Sequence, residues 1–241
     1  MIYFFDGTND GFLTAFLCSY YDANAQFACD KTQLSIGQEC ITVKTDAETA
    51  HKAKERFLQL DGDCLGELDL LLRSGEENKS QIAYRYMKLI SDYKRPVRGM
   101  LANEDVLQAA NCIQRVTVEL HRLRGFIRFM ESESGALYAP FSPDHDICDL
   151  LLPHFRARLP KHPFVLHDIV RKKAAVYDGA HSFTAPLDRA EIALSANEEE
   201  WQKLWKRYYD SVNIPSRERL KQMRGYMPVR YWKFLPERVP K

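Results

Sequence analysis

The sequence predicts an α+β fold, with a mainly helical N-terminal part and a small, mostly antiparallel sheet with flanking helices in the C-terminal part. Two observations indicate this class. Apolar runs with strand character, several of them joined by hairpin-like turns, are concentrated between residues 126 and 185. Helical periodicity dominates the sequence before this region and returns after it. A wound βαβ sheet would instead alternate strands and helices along the whole chain.

The first 98 residues are expected to contain two short strands and four helices. The strands are predicted at residues 2–5 and 41–43. The helices are predicted at residues 12–21, 46–60, 65–72 and 81–90. Either Thr45 or Asp46 is expected to cap the second helix. Residues 94–99 interrupt the pattern, so we predict two parts, 1–98 and 99–241, or one continuous domain.

The part from residue 99 onward is expected to hold the main sheet. Its strands are predicted at residues 126–130, 136–141, 164–167, 174–177 and 181–185. Its helices are predicted at residues 103–123, 146–159, 201–212 and 216–223. The tail from Tyr226 contains too many prolines for regular secondary structure.

Charge is distributed unevenly along the chain. Residues 1–83 carry 7 Lys and Arg against 14 Asp and Glu, whereas residues 150–241 carry 18 against 10. The whole chain has a net charge of only +1. The basic end could contact phosphate groups, or it could dock on an acidic surface of the same chain or of a partner.

Composition excludes several classes of protein. No stretch approaches the ~20 apolar residues of a membrane-spanning helix, and no basic segment precedes the apolar start. We therefore expect a cytoplasmic protein that does not contact a membrane. The six cysteines are widely spaced and include no C-x-x-C pair, so we expect no metal, iron–sulfur cluster or other cofactor.

Histidines and a glutamate are the candidate catalytic groups. Imidazole titrates near neutrality, and a carboxylate can act as a general base. The candidates are Glu119, His121, His154 and His167. For His154 the competing interpretation is a core histidine with satisfied hydrogen bonds. Asp144 or Asp146 is interpreted as the cap of the following helix rather than as a metal ligand.

Asp168 follows His167 directly, but neighbouring strand residues point to opposite faces. Asp168 is therefore expected to pair with Arg171 across a short turn rather than to orient the imidazole of His167. Cys148 is expected to pack as an ordinary buried thiol.

Cations interleaved with aromatic residues mark the candidate binding positions. This combination is typical of base stacking with phosphate contact, and equally of an arm that packs its aromatic rings on the domain. The candidates are Arg122, Arg128, Tyr138, Arg158, Arg171, Lys172, Arg230, Tyr231, Trp232 and Lys233.

Motifs spread over nearly the whole chain form a recognisable set. Two lie at the start: Tyr3-Phe4-Phe5-Asp6-Gly7 and Gly11-Phe12-Leu13-Thr14-Ala15. The others lie at residues 119–129, 137–140, 154–158, 167–171 and 227–237. Together they resemble a bacterial family of DNA metabolism proteins, a domain of unknown function. Phe5 and Asn9-Asp10 depart slightly from that family's opening pattern.

The resemblance implies neighbouring genes and fusion partners rather than a particular reaction. Members of that family are encoded beside a radical S-adenosylmethionine protein of DNA modification or repair, and some are fused to a uracil-DNA-glycosylase-like domain. Our leading hypothesis is therefore a DNA repair accessory that binds DNA and one of those partners. The alternatives are a nucleic-acid-processing enzyme with a His/Glu/Arg site and a structural protein-interaction domain.

Overall fold

The computed structural model describes residues 1–30, 39–214 and 219–238. The predicted α+β class is confirmed: helices prevail in the N-terminal part, and a mostly antiparallel five-stranded sheet lies in the C-terminal part. The chain divides into two compact units, residues 1–117 and 118–241. The predicted division between residues 98 and 99 stays a prediction.

A three-stranded parallel sheet organises unit 1 (residues 1–117). Its strands are β1 (Ile2–Phe4), β2 (Gln26–Ala28) and β3 (Cys40–Thr42), in the order β2-β1-β3. Helix α1 (Asn9–Cys18) connects β1 to β2, and it is the crossover that parallel pairing requires. Strand β2 was not predicted, because three residues are too short to show a period.

Helices cover this sheet and enclose an aromatic core. They are α2 (Ala47–Leu60), α3 (Cys64–Leu72), α4 (Lys79–Tyr93) and the first half of α5 (Glu104–Phe126). The Asp46 carboxylate accepts the backbone N–H of Thr49 at 2.8 Å, so the predicted cap of α2 is confirmed. In the core, the rings of Phe27 and Tyr84 stack at 4.4 Å.

The main sheet of unit 2 (residues 118–241) has the order β4-β5-β6-β7-β8. The strands are β4 (Met130–Glu131), β5 (Leu137–Phe141), β6 (Phe164–Asp168), β7 (Lys173–Tyr177) and β8 (Ser182–Pro186). Strands β5 and β6 are parallel, and the other neighbours are antiparallel. The chain passes from β5 to β6 through a 3₁₀ turn (Asp149–Leu151) and helix α6 (Leu152–Arg158).

Among the described residues, unit 2 also contains α7 (Glu198–Val212), α8 (Leu220–Tyr226) and a 3₁₀ helix (Val229–Phe234). The tail was expected to be irregular, so this 3₁₀ helix corrects that expectation. Residues 216–218 of the helix predicted at 216–223 lie outside the described residues. Along the described chain, no helix is both long and apolar enough to cross a membrane.

Two predicted boundaries in unit 2 were wrong for packing reasons. Residues 126–130 were predicted as a strand, but α5 continues to Phe126 and β4 begins only at Met130. Phe129 lies between them and packs against Phe155 and Phe164 at ring distances of 5.1 and 5.7 Å. The helix predicted from Asp146 begins later, with a 3₁₀ turn from Asp149, and the Asp146 carboxylate binds Lys173 at 2.9 Å.

Candidate functional site

Glu119 on α5 is a buried carboxylate that organises a large part of unit 2. The residue is 4% exposed, and its carboxylate accepts the backbone N–H groups of Asp144 at 3.0 Å and His145 at 2.9 Å. The guanidinium of Arg230 donates at 2.7 Å, and the Tyr231 hydroxyl donates a further hydrogen bond. One acidic group therefore joins α5, the loop after β5 and the C-terminal 3₁₀ helix.

The electrostatics of this network favour an ionised Glu119. Burial alone raises the pKa of Glu119, but hydrogen bonds from Tyr231, the two amides and Arg230 outweigh it and hold the pKa below its ordinary value. Burial and the adjacent carboxylate raise the pKa of Tyr231, so its hydroxyl keeps its proton and donates. Arg230 also pairs with the Asp144 carboxylate at 2.7 Å.

A second ion pair holds the same loop from the other side. Asp168 is fully buried at the end of β6, and the predicted ion pair with Arg171 is present at 3.1 Å. The Arg171 guanidinium also donates to the carbonyls of Pro143 at 3.1 Å and Asp144 at 2.5 Å. Asp144 therefore binds Arg230 and Arg171 and caps no helix, contrary to the expectation.

His167 is held inside the sheet by two hydrogen bonds. Its Nδ1 lies 2.6 Å from the Tyr138 hydroxyl and its Nε2 lies 2.9 Å from the Leu187 carbonyl. A carbonyl can only accept, so Nε2 carries a proton and, in the neutral ring, Nδ1 accepts from Tyr138. Both side chains are buried.

Cys148 is also buried, which raises the pKa of its thiol to about 12, and it packs as expected.

His154 lies on α6 with its ring edge against Phe155 at 4.9 Å. Its Nε2 is buried and has no hydrogen-bond partner among the described residues. Burial, followed by the positive charges of Arg124 and Arg158, lowers the pKa of this imidazole. His121 is exposed, three residues before Arg124 on α5.

The four candidate catalytic residues have separate surroundings. Within the described ranges, no hydrogen bond, ion pair or ring contact joins Glu119, His121, His154 and His167 to one another, and no three His, Cys, Asp or Glu side chains form a metal-binding group. Sequence reasoning missed the pairing of Glu119 with Arg230 and Tyr231, because the partners are more than 110 residues apart.

Most candidate binding residues are engaged inside unit 2. Arg128 donates to Glu237 at 2.9 Å and lies over the Trp205 ring at 5.2 Å, and Arg122 donates to the Gly225 carbonyl at 3.0 Å. Three others have local partners: Lys172 with Asp188 at 2.7 Å, Trp232 with the Met227 carbonyl at 3.1 Å, and Lys233 over the Phe234 ring at 4.8 Å. The side chain of Arg158 differs, because it forms no ion pair or hydrogen bond with any described residue.

Arg158 belongs to a surface formed by two stretches without acidic residues, 120–130 and 150–167. The contact of Phe129 with Phe155 packs these stretches against each other. Their exposed cations are Arg124, Arg156, Arg158 and Lys161, which we call the basic surface. Arg156 lies over the Tyr177 ring at 5.4 Å, and none of the four pairs with a described acidic side chain.

Comparison with known proteins gives a family but no activity. Residues 77–237 match the family described as Domain of unknown function DUF4130. No curated protein and no solved structure matches the chain significantly.

Proposed function

We propose that this chain, which belongs to the DUF4130 family, is a DNA-binding accessory protein in DNA metabolism or repair. The protein binds the phosphate backbone of DNA and acts beside a radical S-adenosylmethionine protein or a uracil-DNA-glycosylase-like protein. The observation that supports this proposal is the basic surface, whose four cations have no acidic partner among the described side chains.

The contrast with three other arginines of unit 2 supports this assignment. Arg128, Arg171 and Arg230 are neutralised by Glu237, Asp168 and Glu119. A cation that is already paired with a carboxylate gains little free energy when it binds a phosphate. An unpaired, exposed cation can neutralise a phosphate and release a condensed counterion, which favours binding.

DNA binding is tested by fluorescence anisotropy with labelled single- and double-stranded oligonucleotides over a series of salt concentrations. The expected result is affinity that falls steeply with salt, with a log–log slope of about −0.9 per neutralised phosphate on duplex DNA. Replacing Arg156 and Lys161 with alanine lowers affinity at low salt and reduces the slope by about 2. The matched control replaces Lys44 and Lys52, two exposed lysines of unit 1, and leaves the slope unchanged.

The accessory role is tested by copurification with the radical S-adenosylmethionine partner, followed by assays on damaged and undamaged oligonucleotides. We expect the partner to act faster on damaged DNA when this protein is present. DNA binding that does not weaken with salt, or an equal loss in both double variants, would contradict the proposal.

A further inference from the structure

We propose that a pocket between α7 and the edge of the main sheet binds a positively charged purine base, and that this base is an N7-alkylated guanine. The inference deepens the proposed function and rests on it only in taking DNA as the source of the base. Alkylation of the guanine N7 atom gives the ring a positive charge, which the undamaged bases do not carry at neutral pH.

Residues of α7 and of two strands line this pocket. Its volume is about 380 Å³, within the range of sites for small molecules. Trp201 and Trp205 are four residues apart on α7, so they lie on one face of that helix. Glu131 and Leu137 line the pocket from the sheet, where they are a cross-strand pair of β4 and β5. The pocket therefore combines indole rings with a carboxylate.

Hydrogen bonds hold the start of α7 against β4. The Glu198 carboxylate accepts the backbone N–H of Glu131 at 2.8 Å and the side-chain amide of Gln202 at 2.9 Å. The Ser195 backbone N–H, just before α7, donates to the Glu131 carbonyl at 2.9 Å. The two sides of the pocket are thus fixed before a ligand binds, and a preformed site loses less conformational entropy on binding.

The two indoles differ in the contacts that they already have. The Arg128 guanidinium lies over the Trp205 ring at 5.2 Å, and the Trp205 indole N–H donates to Glu237 at 2.9 Å. Trp201 is 57% exposed, and its side chain has no ring contact or hydrogen bond with a described residue. Trp201 is therefore free to stack on a base. Indole attracts cations more strongly than the other aromatic side chains, so a positively charged base stacks on it more tightly than a neutral base.

The charges that line the pocket also favour a cation. Glu131 and Glu198 both line it, and neither pairs with a basic side chain in the part of the chain that the structure describes. Arg128 lines it as well, but the Glu237 carboxylate neutralises this guanidinium at 2.9 Å. A positively charged base gains Coulomb attraction from the two carboxylates, which a neutral base does not.

The Glu131 carboxylate favours guanine among the bases. A carboxylate only accepts hydrogen bonds, and its two oxygens match two donors that lie side by side. Guanine offers such a pair in its N1–H and N2 amino groups, whereas adenine and cytosine place a ring nitrogen acceptor beside their amino group. One oxygen of Glu131 accepts the Ser195 hydroxyl at 3.3 Å, and the other has no partner among the described residues.

The pocket lies next to the basic surface. Phe129 lines the pocket and packs its ring against Phe155 at 5.1 Å, and Arg156 follows Phe155 on α6. A DNA strand that inserts one base into the pocket therefore has cations of the basic surface near its phosphates.

The experiment is titration of the full-length protein with 7-methylguanosine and with guanosine. The titration is carried out at mildly acidic pH, at which the methylated base keeps its N1–H and its positive charge. Calorimetry measures binding, and quenching of tryptophan fluorescence reports stacking. We expect 7-methylguanosine to bind about tenfold more tightly than guanosine or better. Equal affinity for the two nucleosides, or binding of neither, would overturn the proposal.

A substitution at Trp201 tests the stacking. Trp201→Leu is expected to weaken binding of 7-methylguanosine by about tenfold or more. Tyr226→Leu is the matched control, because Tyr226 is 68% exposed on α8 and does not line the pocket. This control is expected to change the affinity less than about twofold. Equal losses in the two variants would overturn the assignment of Trp201.

A substitution at Glu131 tests the charge and remains informative if Trp201→Leu fails to fold. Glu131→Gln keeps the shape of the side chain and is expected to remove most of the preference for 7-methylguanosine over guanosine. Glu133→Gln removes the same charge from an exposed residue outside the pocket and is expected to keep the preference. Loss of the preference in both variants, or in neither, would overturn the role of Glu131.

An oligodeoxynucleotide with one N7-methylguanine, compared with the unmodified strand, tests DNA as the source of the base. We expect the methylated strand to bind more tightly, and equal binding would overturn DNA as the source. Binding of 7-methylguanosine without salt-dependent DNA binding would support the pocket and overturn the proposed function. Salt-dependent DNA binding without any preference for 7-methylguanosine would overturn the pocket and leave the proposed function standing.

Discussion

Two groups of motif residues in unit 2 use arginine in opposite ways. Around Glu119, the cation Arg230 is matched by carboxylates, and a tyrosine and two backbone amides complete the shell. Around His154, the charges of Arg124 and Arg158 lower the pKa of the imidazole, and neither arginine pairs with an acidic side chain among the described residues. The first group ties distant segments together, whereas the second leaves positive charge available to a ligand.

The comparison shows that a charged motif residue is not by itself a sign of a reactive site. Burying a carboxylate costs free energy unless hydrogen-bond donors surround it. When such donors are present, the buried carboxylate holds together the segments that carry them. The same residue types have a different effect at the surface, where an unmatched cation is hydrated and can exchange water for an anion. An arginine that is paired with a carboxylate therefore has a structural role, whereas an unpaired arginine is available to bind a ligand. The following experiments test that distinction.

The largest expected effect is the loss of stability in Glu119→Ala. This variant leaves the donors from Arg230, Tyr231 and two backbone amides without their acceptor, and we expect about 3 kcal/mol less free energy of unfolding. Urea denaturation measures the change. The control is Glu133→Ala, an exposed glutamate for which we expect a change within about 0.5 kcal/mol. Similar values for the two variants would contradict the structural role of Glu119.

A smaller loss is expected in Arg171→Ala. Asp168 remains fully buried and keeps only the backbone amides of Val170 and Arg171, so the free energy of unfolding falls by about 2 kcal/mol. Arg171→Lys restores the charge but not the fork that also binds the carbonyls of Pro143 and Asp144, so it recovers only part of the loss. Full recovery by lysine in thermal denaturation would show that the charge alone matters.

The pH dependence of stability sharpens the comparison further. Because the folded-state pKa of Glu119 lies below its ordinary value, its contribution is complete above the unfolded-state pKa of about 4.5 and is lost as pH falls through the folded-state pKa. Glu119→Gln removes this part of the acid sensitivity, so its unfolding free energy differs from the wild-type value less at pH 3 than at pH 7. A constant difference between pH 7 and pH 3 would show that Glu119 does not titrate as described.

The smallest effect on stability is expected for two arginines of the basic surface. Arg124→Ala and Arg158→Ala remove exposed, unmatched charges, so each changes the free energy of unfolding by less than about 0.5 kcal/mol. Urea denaturation measures this effect. A loss above 1 kcal/mol without ligand would assign these arginines to the fold instead.

Features governed by neighbouring residues were predictable from the sequence. The helical period of α2 to α5 and the cap at Asp46 depend on residues within one or two turns of each other. The ion pair of Asp168 with Arg171 also spans only three residues, so turn geometry alone places the partners together. The motif at residues 154–158 likewise indicated His154 and Arg158 before the structure placed them on one helix face.

Only the tertiary structure decided which charges are matched. Glu119, Arg230 and Tyr231 meet because the C-terminal 3₁₀ helix packs near α5, and no local pattern encodes a contact across more than 110 residues. Phe129 left its predicted strand because contact with Phe155 and Phe164 outweighed its local preference for extended structure. The sequence by itself thus determined the elements and the charged residues they carry. Long-range packing decided which carboxylates neutralise which arginines, because burial makes a matching charge necessary and only the folded chain determines what is buried.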